Sequence, residues 1–371
     1  MARSISALST STDAKTAVEE VCAKIDAAVE IPIAVLFFAS TDIFAEAAKL
    51  LYDKYPMATS VGSTTYINII NNKRSNKGLS VMAIFSGIEA SAGYLEEISR
   101  HPMNYKGRVN EALEKLSSFE NTVCIEFTPA YMVAEELVLD TYNEVLKDKG
   151  IPVAGSSSGN SYGDKYTYVA INGKVFSDCS VFMLIHNLEG GIACYRENIY
   201  KPTAKTLTVT DADVTERRIY EFNDKPAYLA MKEALGVEGK KAAIEISTLP
   251  IGRMENGEIQ ITDVSTINDD NSLTYYARVY NMTKVALLEL DDINRVWSET
   301  VANCKKLIPT PSFALAVNCA GRTRMIEEKH LLDAYTEMIS DNFGTVINVS
   351  GFGEQLRDSH CNQTLVLVVF E

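Results

Sequence analysis

The sequence lacks most of the marks that announce a function. No apolar run reaches the roughly 18 residues needed to cross a bilayer. The longest, such as TLVLVVF near the C-terminus, have the length of a strand. The N-terminal stretch MARSISALSTSTDAKTAVEEV has no apolar core of the kind a signal peptide carries. The seven cysteines are odd in number and scattered, with no CxxC pair. That argues against a disulfide framework and for reduced, packed thiols, so a cytoplasmic location is expected. The formal net charge is -14 and no basic block interrupts it. Such a surface repels phosphate backbones, so no nucleic-acid partner is expected, and no membrane insertion.

Cofactor and metal motifs are missing as well. There is no GxxxxGK(S/T) loop and no GxGxxG fingerprint. The GFGE stretch contains GxG, but no helix is expected after it. His360-Cys361 has no second pair at zinc spacing. The acidic stretch NDDN (Asn268–Asn271) lacks the glycine and terminal glutamate of a calcium loop, and reads as a hairpin turn. Neither a cofactor nor a metal is expected. Low-complexity segments and long linkers are absent too.

What remains is an ordinary globular composition, 46% hydrophobic and 23% charged over 371 residues, which suits two domains. Ile31–Ser40 (IPIAVLFFAS) is a continuous apolar run, suited to a sheet covered on both faces. TDIFAEAAKLLYDKYP follows with helical spacing, Thr41 or Asp42 as N-cap and Pro56 as the stop. SVGSTTY is a short strand ending in glycine and hydroxyls, and SVMAIF and EASAGYLEE close the set. The same order returns in Asn121–Ala130 (a strand), YMVAEELVLDTYNEVLKDKG (a helix), VAGSSSG, and SVFMLI with GGIACYRE. Between these lies a hairpin turning at Asn172-Gly173. A shorter third echo runs through SFALAVNCAGRTR, read as a strand entering a loop. It continues through the helix MIEEKHLLDAYTEMISDNFG to TVINVSGFGEQ and TLVLVVF.

The expected fold is therefore α/β of mixed α+β kind, two domains of mixed sheets flanked by helices. The N-terminal domain, 1–225, is read as an internal duplication of a strand-helix-strand-hairpin unit over about 30–100 and 120–200. The C-terminal domain is 226–371. In it, IQITDVSTINDDNSLTYYARVYNMTKVALLEL reads as antiparallel strands, and a helix is expected to start at Pro226 after the NDKP turn.

In open α/β sheets ligands bind beyond the carboxyl ends of the strands. The repeated loops stand there, with Gly62, Ser63 and Thr64 in the first unit and Gly155, Ser156 and Ser157 in the second. Glycine allows close backbone approach and the hydroxyls donate or accept, which makes a cradle for a small polar molecule; the same residues also serve as plain turns. The third version adds charge. Arg322 can grip a carboxylate with its two-pronged guanidinium, and Glu354 can hold an ammonium. Sharing one pocket, they would suit an amino acid or another zwitterion. The pair also reads as a structural ion pair or as two solvated side chains.

These C-terminal residues, NCAGRTR, GFGEQ and NQTLVLVV, resemble the FIST family of sensory domains. Upstream, IAVLFFAST, SVGSTTY, VAGSSSG, GKVFSDCSVF and VTDADVTERRIYEFNDKPAYLAMKEALG extend the resemblance over roughly 30–371. It implies N- and C-terminal FIST domains and a signal-input role with a small ligand, an amino acid among the candidates. Relatives are often fused to chemotaxis receptors, kinases or cyclic-nucleotide enzymes. The resemblance places Cys319 and Arg322 in the Cys–Arg motif, Gly353 and Glu354 in the Gly-Glu motif, and Ser63 and Thr64 in the N-terminal Gly-Ser/Thr loop. Two departures stand out. SVGSTTYINI lacks the glycine and glutamate that follow the Ser/Thr pair in the family, and no output domain follows the last strand, so a separate signalling partner is expected. Two rival readings stay open. Cys319 beside Arg322 could be a nucleophile with His330 or His360 as its base, or the chain could be a protein-interaction scaffold.

Overall fold

The computed structural model describes residues 2–161, 164–255 and 257–371. Tyr162 and Gly163 of the predicted polar loop lie outside them. The architecture is mixed α/β in two compact units. Packing divides the chain differently from a sequential cut at residue 225. The larger unit is Met1–Glu197 with Trp297–Asp358 and Leu365–Glu371, and the smaller is Asn198–Val296 with Ser359–Thr364.

In the larger unit one motif occurs three times. Ala34–Ala39 lies parallel to Thr59–Thr64 and antiparallel to Leu79–Ser86. Thr122–Thr128 is parallel to Val153–Ser157 and antiparallel to Cys179–Asn187. Phe313–Cys319 is parallel to Thr345–Gly351 and antiparallel to Thr364–Phe370. An opening strand flanks each trio: Arg3–Ser9 in the first, Ile88–Glu96 in the second and Ile192–Asn198 in the third. The repeat is thus threefold, and it corrects the expected closing strands. EASAGYLEE and GGIACYRE do not finish the units before them but open the units after them.

Each repeat also gives away its hairpin. Asn68–Ile70 of the first pairs with Thr345–Gly351 of the third. Val169–Ile171 of the second pairs with Thr59–Thr64 of the first. Gly353–Leu356 of the third pairs with Val153–Ser157 of the second. The exchange is cyclic, so no repeat completes its own sheet. Asn172 and Gly173 both have positive φ, as the predicted type I′ turn requires.

One face of every sheet meets the other two in a single apolar core. Leu36, Phe38, Ile125, Phe127, Leu315 and Val349 are among its buried members. Period-2 alternation sends the neighbouring residues to the outer faces, which helices cover. Ala14–Ile25 and Thr41–Lys54 cover the first sheet, and Lys106–Leu113 and Glu135–Leu146 the second. Ala320–Glu328 and Leu332–Asn342 belong to the third repeat. Three helix starts differ from expectation. Ser40, not Thr41 or Asp42, is the N-cap of Thr41–Lys54. YMVA is loop, and the helix begins at Glu135; AGRTR is not loop but the first turns of a helix that follows Cys319 directly.

The smaller unit is a strongly antiparallel sheet. Its long strand Tyr200–Asp213 pairs with Lys284–Leu290 and with Arg218–Phe222. The NDKP turn places Asn223 and Asp224 at positive φ, and the helix Ala227–Leu235 follows with Pro226 as N-cap. Val264–Ile267 and Leu273–Tyr275 pair across NDDN, a turn as expected.

Candidate functional site

The repeated glycine–hydroxyl loops lock the three repeats together. The Tyr66 N–H donates to the Ser350 carbonyl (2.8 Å), that of Gly159 to Thr64 (3.0 Å) and that of Phe352 to Ser157 (3.0 Å). The three bonds are equivalent and run around the ring. Hydroxyls fill the space between. Ser63 Oγ lies within hydrogen-bond distance of Ser158 Oγ (2.9 Å) and of the Thr64 carbonyl (2.8 Å), to one of which it donates, and Ser156 Oγ donates to the Ser157 carbonyl (2.9 Å). Thr64 Oγ1 accepts from the Tyr168 N–H (3.1 Å). Gly353 starts the exchanged strand, and its carbonyl accepts from Ser156 Oγ (3.3 Å). Ser63, Thr64, Ser156 and Ser157 are fully buried, each with a partner inside the protein. As buried polar groups must, they satisfy one another.

Arg322 and Glu354 do not meet as expected. Arg322 is fully buried and forms an ion pair with Glu197, also fully buried. Its Nη1 donates to Asn318 Oδ1 (2.8 Å), and its guanidinium stands 5.1 Å from the Tyr335 ring centre. Asn318 alternates with the core residues Leu315 and Val317, so this cluster occupies the helix-covered face of the third sheet. Glu354 stands opposite Ser156, on the face of the second sheet that carries Ala154 and Leu356 into the central core. Sheet backbone separates the two side chains, and the shared zwitterion pocket is not formed. Cys319 is buried (4%) at the strand–helix junction, where its carbonyl accepts from Thr323 Oγ1 (2.9 Å). His330 lies on the exposed turn beyond that helix.

Sequence reasoning missed a different cluster. On the outer face of the second sheet, Glu126 is fully buried. Its Oε2 accepts from Thr128 Oγ1 (2.8 Å) and Ser180 Oγ (3.2 Å). Tyr142 Oη shares a bond with the same Ser180 hydroxyl (2.8 Å). Glu126 Oε1 has no hydrogen-bond partner among the described residues. Beside it, Glu135 Oε1 accepts from Ser157 Oγ (2.9 Å), which also takes Gln355 Nε2 (3.1 Å). The first repeat has Phe37 and Phe44, stacked 5.6 Å apart, where the second has these carboxyls. A lone glutamate in the apolar run NTVCIEFTPA was the available signal. An amphipathic alternation would not place a carboxylate in a strand covered on both faces.

Burial raises the Glu126 pKa to about 8, with the charge of Glu135 adding to it and the hydroxyls of Thr128 and Ser180 opposing. The carboxyl is therefore neutral at pH 7. Because the folded value lies above the ordinary 4.5, the folded state binds this proton more tightly than the unfolded chain. Its contribution to stability is whole below pH 4.5 and is lost progressively as pH rises towards about 8. Urea unfolding across that window should show stability falling with pH in the wild type, with Glu126→Gln flattening the slope. Equal slopes in the two proteins would refute the assignment.

The loop Pro129–Ala134 joins the carboxyl end of this strand to the helix that begins at Glu135. Tyr131 (φ 70) and Val133 (φ 52) adopt the left-handed conformation without being glycine. For a β-branched valine that geometry is costly, of order 1–3 kcal/mol, and such strain gathers at functional sites. The Ala130 N–H ties the loop to Thr167 Oγ1 (2.9 Å), and the half-exposed Tyr131 ring packs on Phe352 (5.5 Å).

The larger unit is thus a threefold α/β arrangement locked by hydroxyls, with a buried acidic cluster on the helix-covered face of its second sheet. Comparison with protein families sharpens this. The model of the FIST N domain matches residues 33–225 and that of the FIST C domain matches 227–357. The chain belongs to the FIST family, whose domains are described as sensory, small-ligand-binding and active in signal transduction. No curated protein matches it. Among the described residues no helix is long and apolar enough to cross a membrane.

Proposed function

We propose that this chain is a signal-input protein that takes a small amine-bearing ligand, such as an amino acid, at the carboxyl edge of the second sheet of the larger unit. One observation carries the reading: the fully buried Glu126 carboxyl keeps Oε1 without a partner among the described residues, in the strand that leads into a loop with two left-handed residues. An ammonium group reaching that oxygen would ionise Glu126 and be held by it and by Glu135, in surroundings where charge pairs act strongly. Binding would expel the Glu126 proton and displace the Tyr131 loop. The movement of that loop is the signal offered to a separate partner protein.

Thermal-shift screening with amines, amino acids and matched carboxylic acids tests this, since a ligand raises stability by RT ln(1 + [L]/Kd). Amine-bearing compounds should stabilise the protein, more so at pH 8 than at pH 6, and Glu126→Gln should abolish the shift while remaining folded. Hits confined to anions, or a shift unchanged in Glu126→Gln, would sink the reading.

A further inference from the structure

We infer that the larger unit carries a second recognition surface, an open strand edge that accepts an extended acidic segment of another protein. Among the described residues the strand Arg3–Ser9 is the last of its sheet, with a hydrogen-bonded neighbour on one side only, and Lys73–Ser75 ends another sheet in the same way. Between the edge of Arg3–Ser9 and the turn of the hairpin that Lys73–Ser75 makes with Asn68–Ile70 runs a groove of about 540 Å³.

One wall is the edge of Arg3–Ser9, and the other is the hairpin turn Asn71-Asn72 with the strand ends that flank it. The lining includes every residue from Ser6 to Thr10 and every residue from Ile70 to Arg74. Side chains alternate across a strand, so a groove touching consecutive residues touches backbone. The carbonyl of Leu8 accepts from Lys24 Nζ (3.0 Å), which reaches it from the helix Ala14–Ile25. Leu8 therefore turns its backbone groups away from the ladder with Leu79–Ser86. By the two-residue alternation of antiparallel pairing, Ser6 does the same. A strand laid in the groove would find these groups at hydrogen-bonding distance, the mode in which a peptide adds to a free sheet edge.

Charge selects the occupant. The groove presents Lys24, Lys73 and Arg74 against one carboxylate, Glu20, on a chain of net charge -14. Glu20 is already engaged by the Ser9 hydroxyl (2.6 Å). Arg74 pairs with Asp333 at the surface, where such a pair is weak and exchangeable. A second copy of this chain is a poor occupant, because two-fold pairing would set the same three cations against each other. An extended segment with glutamate or aspartate at alternate positions satisfies both the backbone edge and the cations. This surface is independent of the ligand site. It gives the input module a place to hold the protein it signals to.

The probe is a peptide of about eight residues alternating valine and glutamate, enough to span the edge at about 3.4 Å per residue. Fluorescence anisotropy with the full chain should show binding that weakens with salt. The double variant Lys73→Glu/Arg74→Glu should reduce affinity about tenfold or more, whereas Lys115→Glu, on another face, should not. Ser6→Pro removes an outward N–H while sparing the ladder, and it should weaken binding without lowering Tm. Three results would each overturn the proposal: equal binding of a valine–lysine peptide, undiminished binding of a backbone N-methylated valine–glutamate peptide, or no binding at all. A dimer in analytical ultracentrifugation that Ser6→Pro dissolves would instead assign the edge to a second copy.

Discussion

Gly155→Ala is expected to leave the larger unit unable to complete its second sheet. A Cβ at that position would lie 2.0 Å from the Glu126 carbonyl oxygen and 2.8 Å from Glu126 Oε1. The first obstacle is backbone in a paired strand, which cannot step aside without breaking the parallel register of Glu126 with Gly155. The loss should reach roughly 4 kcal/mol or more, the range reserved for severe mechanisms. Soluble yield and urea unfolding read it. Gly107→Ala is the control. It sits in the helix Lys106–Leu113 with nothing within 4 Å of the added carbon. It should stabilise by about 0.5–1 kcal/mol through helix propensity. A Gly155→Ala protein within about 1 kcal/mol of wild type would contradict the packing described.

The three repeats explain why glycine is needed there. Phe37 faces Gly62 in the first repeat, Glu126 faces Gly155 in the second, and Ala316 faces Asn348 in the third. Wherever one strand carries a large side chain the other carries none, and where it carries a small one the partner can be larger. Asn348 uses that room to donate to Tyr335 Oη (2.8 Å), beside the Arg322 cluster.

Arg322→Met should cost about 3–5 kcal/mol, since it strands the buried charge of Glu197. Glu197→Leu should cost as much for the converse reason. The double variant, with both charges gone, should recover most of the loss, because a buried ion pair replaced by apolar side chains is often neutral or better. Chemical denaturation of the four proteins closes the cycle. Losses of the two single variants that simply add in the double variant would show that the pair is not the unit of stability. The amine-induced thermal shift should survive in the double variant, because the acidic cluster lies in a different repeat.

Strands and turns were legible from local pattern. Continuous apolar runs such as Ile31–Ser40 and Asn121–Ala130 hold the central strands, and Asn172-Gly173 turns as its φ tolerance allows. The partners of those strands were not legible. EASAGYLEE reads as a strand wherever it pairs, and nothing in its residues says that Cys179–Asn187 is its neighbour. The site suffered in the same way. Arg322 was recognised as a guanidinium of consequence, but its partner, Glu197, is 125 positions away in sequence and lies in a strand that looked like an ending. Glu126 gave a readable sign, a charge in a buried strand. The repeated glycine loops carry a louder signal, and their repetition accompanies the backbone bonds that lock the three repeats together.

The cyclic hairpin exchange sets the order of events in synthesis. Asn68–Ile70 emerges from the ribosome well before its partner strand Thr345–Gly351, which lies more than 270 positions later in the sequence. Val169–Ile171 reaches back at once to the first repeat, whereas Val153–Ser157 must wait for Gly353–Leu356. Open strand edges therefore persist on the nascent chain through most of translation, the condition in which edge-to-edge aggregation competes with folding. A chain stopped at residue 321 would leave Asn68–Ile70, Val153–Ser157, Ile192–Asn198 and both sides of Phe313–Cys319 without the third-repeat strands that pair with them.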